Sequence, residues 1–165
     1  MSAPGATIRA AEPSDAGMLA LLRWELRSTL AATVEDREAF LERCRRWMAA
    51  RLVPGGGWRC WLAHDAGTLF GSAWLLLLEK IPNPIGEPEL HGYVSSLYVR
   101  PERRGAGIGS ALLTRCLREC EERGADSVFL WPTPESRPLY ARHGFANRDE
   151  MLERRFQRPP GVPLR

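Results

Sequence analysis

The sequence predicts an α/β fold, a mixed sheet with helices on its faces, in the order β-α-α-β-β-β-α-β-α-β. Three observations carry that expectation. Apolar residues recur at three- and four-residue steps in long stretches. Elsewhere they run in shorter stretches bounded by turn residues. Between the two kinds, a strand-like run from Leu90 to Val99 passes through the glycine-rich segment VRPERRGAGIGS into a helix-like one.

Thr7 to Ala10 reads as a short first strand. Ser14 or Asp15 can cap the next helix, whose apolar positions are Leu19, Leu22, Leu26 and Leu30. Glu35 to Leu52 repeats the pattern with Phe40, Leu41, Cys44, Trp47, Met48 and Leu52, so both helices are expected to lay one face on a core. Pro54 and the glycines at 55 to 57 end the pair. Trp58 to His64 and Thr68 to Lys80 flank Asp65-Ala66-Gly67 as the arms of a hairpin. After the proline-rich loop from Ile81 to Pro88, Leu90 to Val99 gives a further strand, which Pro101 stops. Ile108, Leu112, Leu113, Cys116, Leu117 and Cys120 mark a helix from Gly107 to Arg123, with Gly124 as its terminator. Ser127 to Trp131 reads as a short apolar strand, Ser136 to His143 as a short helix, and Phe145 to Phe156 as a final strand or hairpin.

With 165 residues, 44% of them hydrophobic, the chain suits one domain, residues 1–165, with a core over about 7–156 and a tail over 157–165. The longest apolar run, Ala73 to Leu78, is far short of the roughly 18 residues of a membrane span, and the start lacks a basic-then-apolar signal, so a cytoplasmic protein without a membrane partner is expected. The four cysteines form no CxxC pair and no metal is expected; Cys116 and Cys120, four apart, read as one core-facing stripe. The 23 basic and 20 acidic residues are interleaved and the net charge is only +3, which makes nucleic acid an unlikely partner.

Chemistry is expected where the strand ending at Val99 turns into the helix. A helix N-terminus presents unpaired N–H groups and partial positive charge, and glycines at 105, 107 and 109 let an anion approach that backbone. A dinucleotide fingerprint would want glycine at 110, where Ser110 stands, and a phosphate loop of the Walker type needs a lysine that the stretch lacks. The remaining pattern, Arg104-x-x-Gly107-x-Gly109 after Leu97-Tyr98-Val99, resembles the acyl-CoA pyrophosphate loop of the GNAT acetyltransferase superfamily. Tyr140-x-x-x-Gly144-Phe145 resembles a second signature of the same superfamily, in the right order downstream. On these two motifs and the element order over residues 7 to 156, the chain is identified as a member of it.

That resemblance implies a mostly antiparallel sheet of six to seven strands and acetyl-CoA as acyl donor. Leu97, Tyr98 and Val99 would pair their main chain with the pantetheine arm. Gly105, Ala106, Gly107, Ile108, Gly109 and Ser110 would hold the pyrophosphate, with Arg104 beside it. Arg100 and Arg103 would reach the 3′-phosphate or solvate the turn. A backbone N–H near Leu97 would stabilise the oxyanion while an acceptor amine attacks the thioester, and Tyr140 would protonate the CoA sulfur as general acid. Thr133 stands where many relatives carry an asparagine on the cofactor arm, and Ser95-Ser96 where they often carry a catalytic glutamate. The general base is therefore open among Glu25, Glu87, Glu89 and His91, of which His91 has the suitable intrinsic pKa. The activity implied is N-acetylation of a primary amine on a small molecule, peptide or protein. The alternative is an acyl-CoA-binding regulatory module without turnover. Homodimers are common in the superfamily and one is a candidate state here.

Overall fold

A computed structural model of the chain describes residues 6–29, 32–33 and 35–156. Leu30, the stretch before Ala6 and the tail from 157 lie outside the described residues. Two compact units divide the chain, Met1–Leu130 and Trp131–Arg165.

The first unit is built on five strands, β1 Thr7–Ala10, β2 Trp58–Asp65, β3 Thr68–Glu79, β4 Leu90–Val99 and β5 Ser127–Phe129, lying side by side in chain order. Successive pairs from β1 to β4 are antiparallel, and β5 runs parallel to β4. The β2–β3 hairpin turns at Ala66 and Gly67, both with positive φ (43° and 83°), the geometry that a two-residue turn between twisted strands requires. β5 is shorter than expected. Pro132, which has no N–H to donate, follows Trp131 and ends the strand-like run.

Helices α1 (Ala16–Ser28) and α2 (Arg37–Arg51) cover one face of the sheet. A 3-10 turn over Pro13–Asp15 precedes α1, and the Asp15 carboxylate points backward, accepting from the Glu12 N–H at 2.8 Å and from both Arg9 guanidinium nitrogens at 2.8 Å. Asp36 caps α2 by accepting from the N–H groups of Glu38 and Ala39, each at 3.0 Å. Leu19, Leu22, Met48, Leu62, Trp74 and Tyr98 form the core between these helices and the sheet. The predicted stripe of α2 is buried only in part: Met48 and Leu52 are inside, while Trp47 is 38% exposed and meets Trp58 and Trp74 at ring distances of 5.3 and 6.0 Å.

Helix α3 (Ile108–Glu122) packs its buried stripe, Ile108, Leu112, Leu113, Cys116 and Cys120, against β3 and β4. The approach is close: a Cβ on Gly92 would lie 2.6 Å from the Cys120 sulfur. Burial pushes the Cys116 thiol far up and that of Cys120 up to about 11, which keeps both protonated and suits a core role. Gly124, at φ 66°, ends the helix as its position predicts.

In the second unit a 3-10 turn over Pro134–Ser136 leads into α4 (Arg137–Arg142). The final strand expected over Phe145–Phe156 is not formed, which accounts for five strands among the described residues rather than six to seven. Its polar run Asn147-Arg148-Asp149-Glu150 breaks the two-residue alternation, a turn falls at Asp149–Glu150, and Ala146 to Phe156 are all exposed.

Candidate active site

The middle of β4 is irregular. Ser72 faces Tyr98 and Trp74 faces Ser95, so Ser96 and Leu97 together oppose Ala73 in a β-bulge. Ser96 takes φ 53°, a left-handed conformation unusual for a residue with a Cβ. The extra residue brings two consecutive serines to the same side, their hydroxyl oxygens 3.3 Å apart, with the Tyr93 hydroxyl donating to Ser95 at 3.3 Å. On the other edge, β5 accompanies β4 only from His91↔Ser127 to Tyr93↔Phe129, where the two rings stack at 5.4 Å. From Val94 to Val99 that edge of β4 has no strand partner among the described residues. Leu97, Tyr98 and Val99, expected to pair with a pantetheine arm, all lie on this open stretch.

The open edge leads directly into the glycine turn. Pro101 to Gly107 are exposed, Gly105 and Gly107 take φ 79° and 77°, and no atom stands within 4 Å of a Cβ built at either. Gly107 occupies the N-cap of α3 with no side-chain cap, and the first intrahelical bond runs from the Ala111 N–H to the Gly107 carbonyl. The helix therefore supplies no acceptor to the N–H groups of Ile108 and Gly109, and its dipole concentrates positive charge there. An uncrowded turn, an uncapped N-terminus and an open strand edge fit an extended ligand that ends in a diphosphate. Arg104 spans the two halves: its Nε donates to the Val99 carbonyl at 2.9 Å and its guanidinium lies 5.9 Å from the Tyr98 ring centre. Of the other arginines here, Arg100 is held by Glu25 and Arg103 sits 4.8 Å over the Phe70 ring and 3.5 Å from Asp65, so both are engaged within the protein.

Beneath α1 a narrow cleft is lined by three of its leucines and Arg23, by Ser72 and Trp74 of β3, and by Ser96 and Tyr98 of β4. It has room for about one water molecule. Arg23 Nη1 donates to Ser96 Oγ at 2.7 Å. Burial, helped by the nearby Glu25 carboxylate, pushes the Tyr98 phenol up and keeps it protonated. Arg23 belongs to none of the motifs legible in the sequence. Its signal is an arginine four residues after Leu19 and three before Leu26, on the apolar face of the helix.

His91 is the second residue of β4, its Nδ1 2.9 Å from Ser127 Oγ; six residues of strand, roughly 20 Å, separate it from Leu97. In the second unit, Tyr140 lies on α4 with its ring 5.7 Å from that of Phe145 at 69°, and the Phe145 N–H donates to the Tyr140 carbonyl at 3.1 Å. Tyr140 and Phe145, spaced as the second motif has them, thus form one packed unit. The Thr133 hydroxyl is 3.3 Å from that of Ser136. Among the described residues there is no cluster of metal-ligating side chains and no helix long and apolar enough to cross a membrane.

Residues 18–145 match the family model described as Acetyltransferase (GNAT) family. A mycothiol acetyltransferase from Thermobispora bispora is 40% identical over 73 residues, 42% of this chain and 23% of that protein. The chain spans only 23% to 28% of the length of the curated relatives it matches. Among solved structures, a GCN5-related N-acetyltransferase from Ralstonia eutropha superposes with a TM-score of 0.74 at 28% identity, covering 91% of this chain and 98% of that one. A predicted acetyltransferase from Clostridium acetobutylicum solved with acetyl-CoA gives 0.76 at 23% identity, covering 91% and 96%, a likeness of fold.

Proposed function

Since this chain belongs to the GNAT acetyltransferase family, we propose that it is an N-acetyltransferase carrying an acetyl group from acetyl-CoA to a primary amine. The observation that supports this reading most is the open edge of β4 running without interruption into the glycine-capped start of α3. Leu97, Tyr98 and Val99 would hold the pantetheine arm by their main chain. Gly105 to Ser110 would hold the diphosphate on N–H groups, with Arg104 fixing the turn against Val99. Acetyl-CoA brings the activated thioester; the protein orients it.

In the reaction we assign, the acceptor nitrogen forms a bond to the thioester carbonyl carbon and the carbon–sulfur bond breaks. The nitrogen gives up one proton and the sulfur gains one, leaving an N-acetyl amine and CoA thiol. The Leu97 N–H, at the bulge, is assigned to the developing oxyanion. Tyr140, by the resemblance of its motif, is assigned to protonate the sulfur. A phenol hydroxyl carries the proton that such a step needs. His91 receives no proton-transfer role, given its distance along β4 from Leu97.

The discriminating experiment is release of CoA thiol from acetyl-CoA with a panel of amino acids, peptides, polyamines and antibiotics as acceptors. Release that depends on an acceptor is the expected result. Saturable acetyl-CoA binding with no acceptor-dependent release would favour the alternative, an acyl-CoA-binding regulatory module.

A further inference from the structure

Ser96 holds an unfavourable conformation at a place where the sheet gives it little support. A φ of 53° is disfavoured for a residue with a Cβ and persists only where the surroundings impose it. On the β3 side the register shifts at this point. On the other side β5 has already left, its last pair being Tyr93↔Phe129. Support comes from outside the sheet: Arg23 Nη1, on α1, donates to Ser96 Oγ at 2.7 Å, a charge-assisted bond. The Ser95 hydroxyl adds a contact at 3.3 Å. The helix that carries Arg23 is itself fixed, with Leu19 and Leu22 buried in the core. Two residues beyond Arg23, Glu25 holds Arg100 by two hydrogen bonds. Helix α1 therefore grips the chain at Ser96 and again at Arg100, before and after Leu97.

Between these two grips lies the amide assigned to the oxyanion. The Leu97 N–H belongs to the planar peptide unit that starts at the Ser96 Cα, so its direction follows the backbone angles of Ser96. An oxyanion donor acts by being aimed in advance, and a misplacement of about 1 Å can cost about 100-fold in rate. We propose that Arg23 is a positioning residue for acetyl transfer: through its bond to Ser96 it keeps the bulge in the conformation that aims the Leu97 N–H at the thioester oxygen. Arg23 acts through Ser96 and not on either substrate. This rests on the acetyltransferase reading above.

The test uses the whole protein, acetyl-CoA and, as acceptor, whichever amine among amino acids, peptides, polyamines and antibiotics releases thiol fastest. Arg23→Met is expected to lower kcat by about 10- to 100-fold, part of what losing an oxyanion donor costs, with the KM for acetyl-CoA and for the amine nearly unchanged. Arg23→Lys, which still donates to a hydroxyl, is expected to keep most of kcat. Ser96→Ala breaks the same bond from its other end and is expected to match Arg23→Met, with the double variant no slower than either. A readout without turnover is the infrared carbonyl band of bound acetyl-CoA labelled with carbon-13 at the thioester carbon. In the unsubstituted protein a hydrogen bond to the oxygen is expected to lower its frequency below that of free acetyl-CoA. In Arg23→Met the band is expected to return to the free position with binding retained. An unchanged kcat in Arg23→Met, a loss confined to the KM for the amine, losses that multiply in the double variant, or a band unmoved by Arg23→Met overturns the inference and leaves the acetyltransferase reading intact. Failure of every amine to give thiol release overturns that reading and the inference together. If Arg23→Met fails to fold, Ser96→Ala, which removes a single oxygen, decides by the same measurements.

Discussion

Glu25 on α1 and Arg100, the residue after β4, 75 residues apart in the chain, are joined by two hydrogen bonds of 2.9 and 2.7 Å. The side chains are 26% and 20% exposed, so the pair is shielded enough to contribute. It ties the helix that carries Arg23 to the strand that carries Ser96. Glu25→Gln is expected to cost about 1–3 kcal/mol in denaturant unfolding, because it leaves a part-buried guanidinium without its counter-charge. Arg100→Gln added to it is expected to cost much less than the sum of the singles, the mark of a direct coupling.

Asp15 gives the fold a defined acid response. Its two bonds from Arg9, more than the bond from the Glu12 N–H, hold its carboxyl below the usual range. The unfolded chain therefore binds this proton more readily than the folded one. The stabilisation is complete above about pH 4, the ordinary aspartate value, and is lost as the pH falls through the lower folded value. Asp15→Asn is expected to lower the melting temperature at neutral pH and to shallow its decline in acid. An unchanged acid slope would count against it.

Gly107 is open to substitution in space but not in conformation. Alanine there meets no atom within 4 Å yet must take φ 77°, at a cost of about 1–2 kcal/mol. Gly107→Ala is expected to lower stability by about that amount and to raise the KM for acetyl-CoA, while Gly107→Asn, which tolerates this region better, loses less. Equilibrium unfolding and initial rates separate the two effects.

Tyr140→Phe keeps the ring that packs on Phe145 and removes only the hydroxyl. It is expected to lower kcat by about 100-fold or more, in the range of general acid catalysis, with acetyl-CoA binding nearly unchanged by calorimetry. Equal turnover would remove Tyr140 from proton transfer.

Much of this was legible in the chain because it depends on local chemistry. Asp65-Ala66-Gly67 specifies a tight turn on its own, Gly124 ends a helix on its own, and the α3 stripe repeats for four turns. The errors came where a local pattern lacked a partner. Phe145 and Phe156 bracket a strand-length segment, but the charged residues between them give it no apolar face. The bulge at Ser96 was invisible, because two serines in a strand say nothing about a register set by β3. Arg23 was readable only as a misfit in an apolar stripe, and the meaning of that misfit came from the serine it touches across the sheet. Glu25 reads in the sequence as a candidate base, and no spacing along the chain announces that Arg100 already holds it.

The order of strands in the sheet, identical to their order in the chain, has a bearing on how the molecule is made. During synthesis β2, β3 and β4 emerge as a meander of neighbours, and each can zip onto the last with little loop to close. β5 must wait until α3 has been made and laid across the sheet, since a parallel neighbour needs a crossover. The fork where β5 leaves β4 is thus the last joint of the first unit to form. A nascent chain gains its sheet well before the place where a donor can lodge.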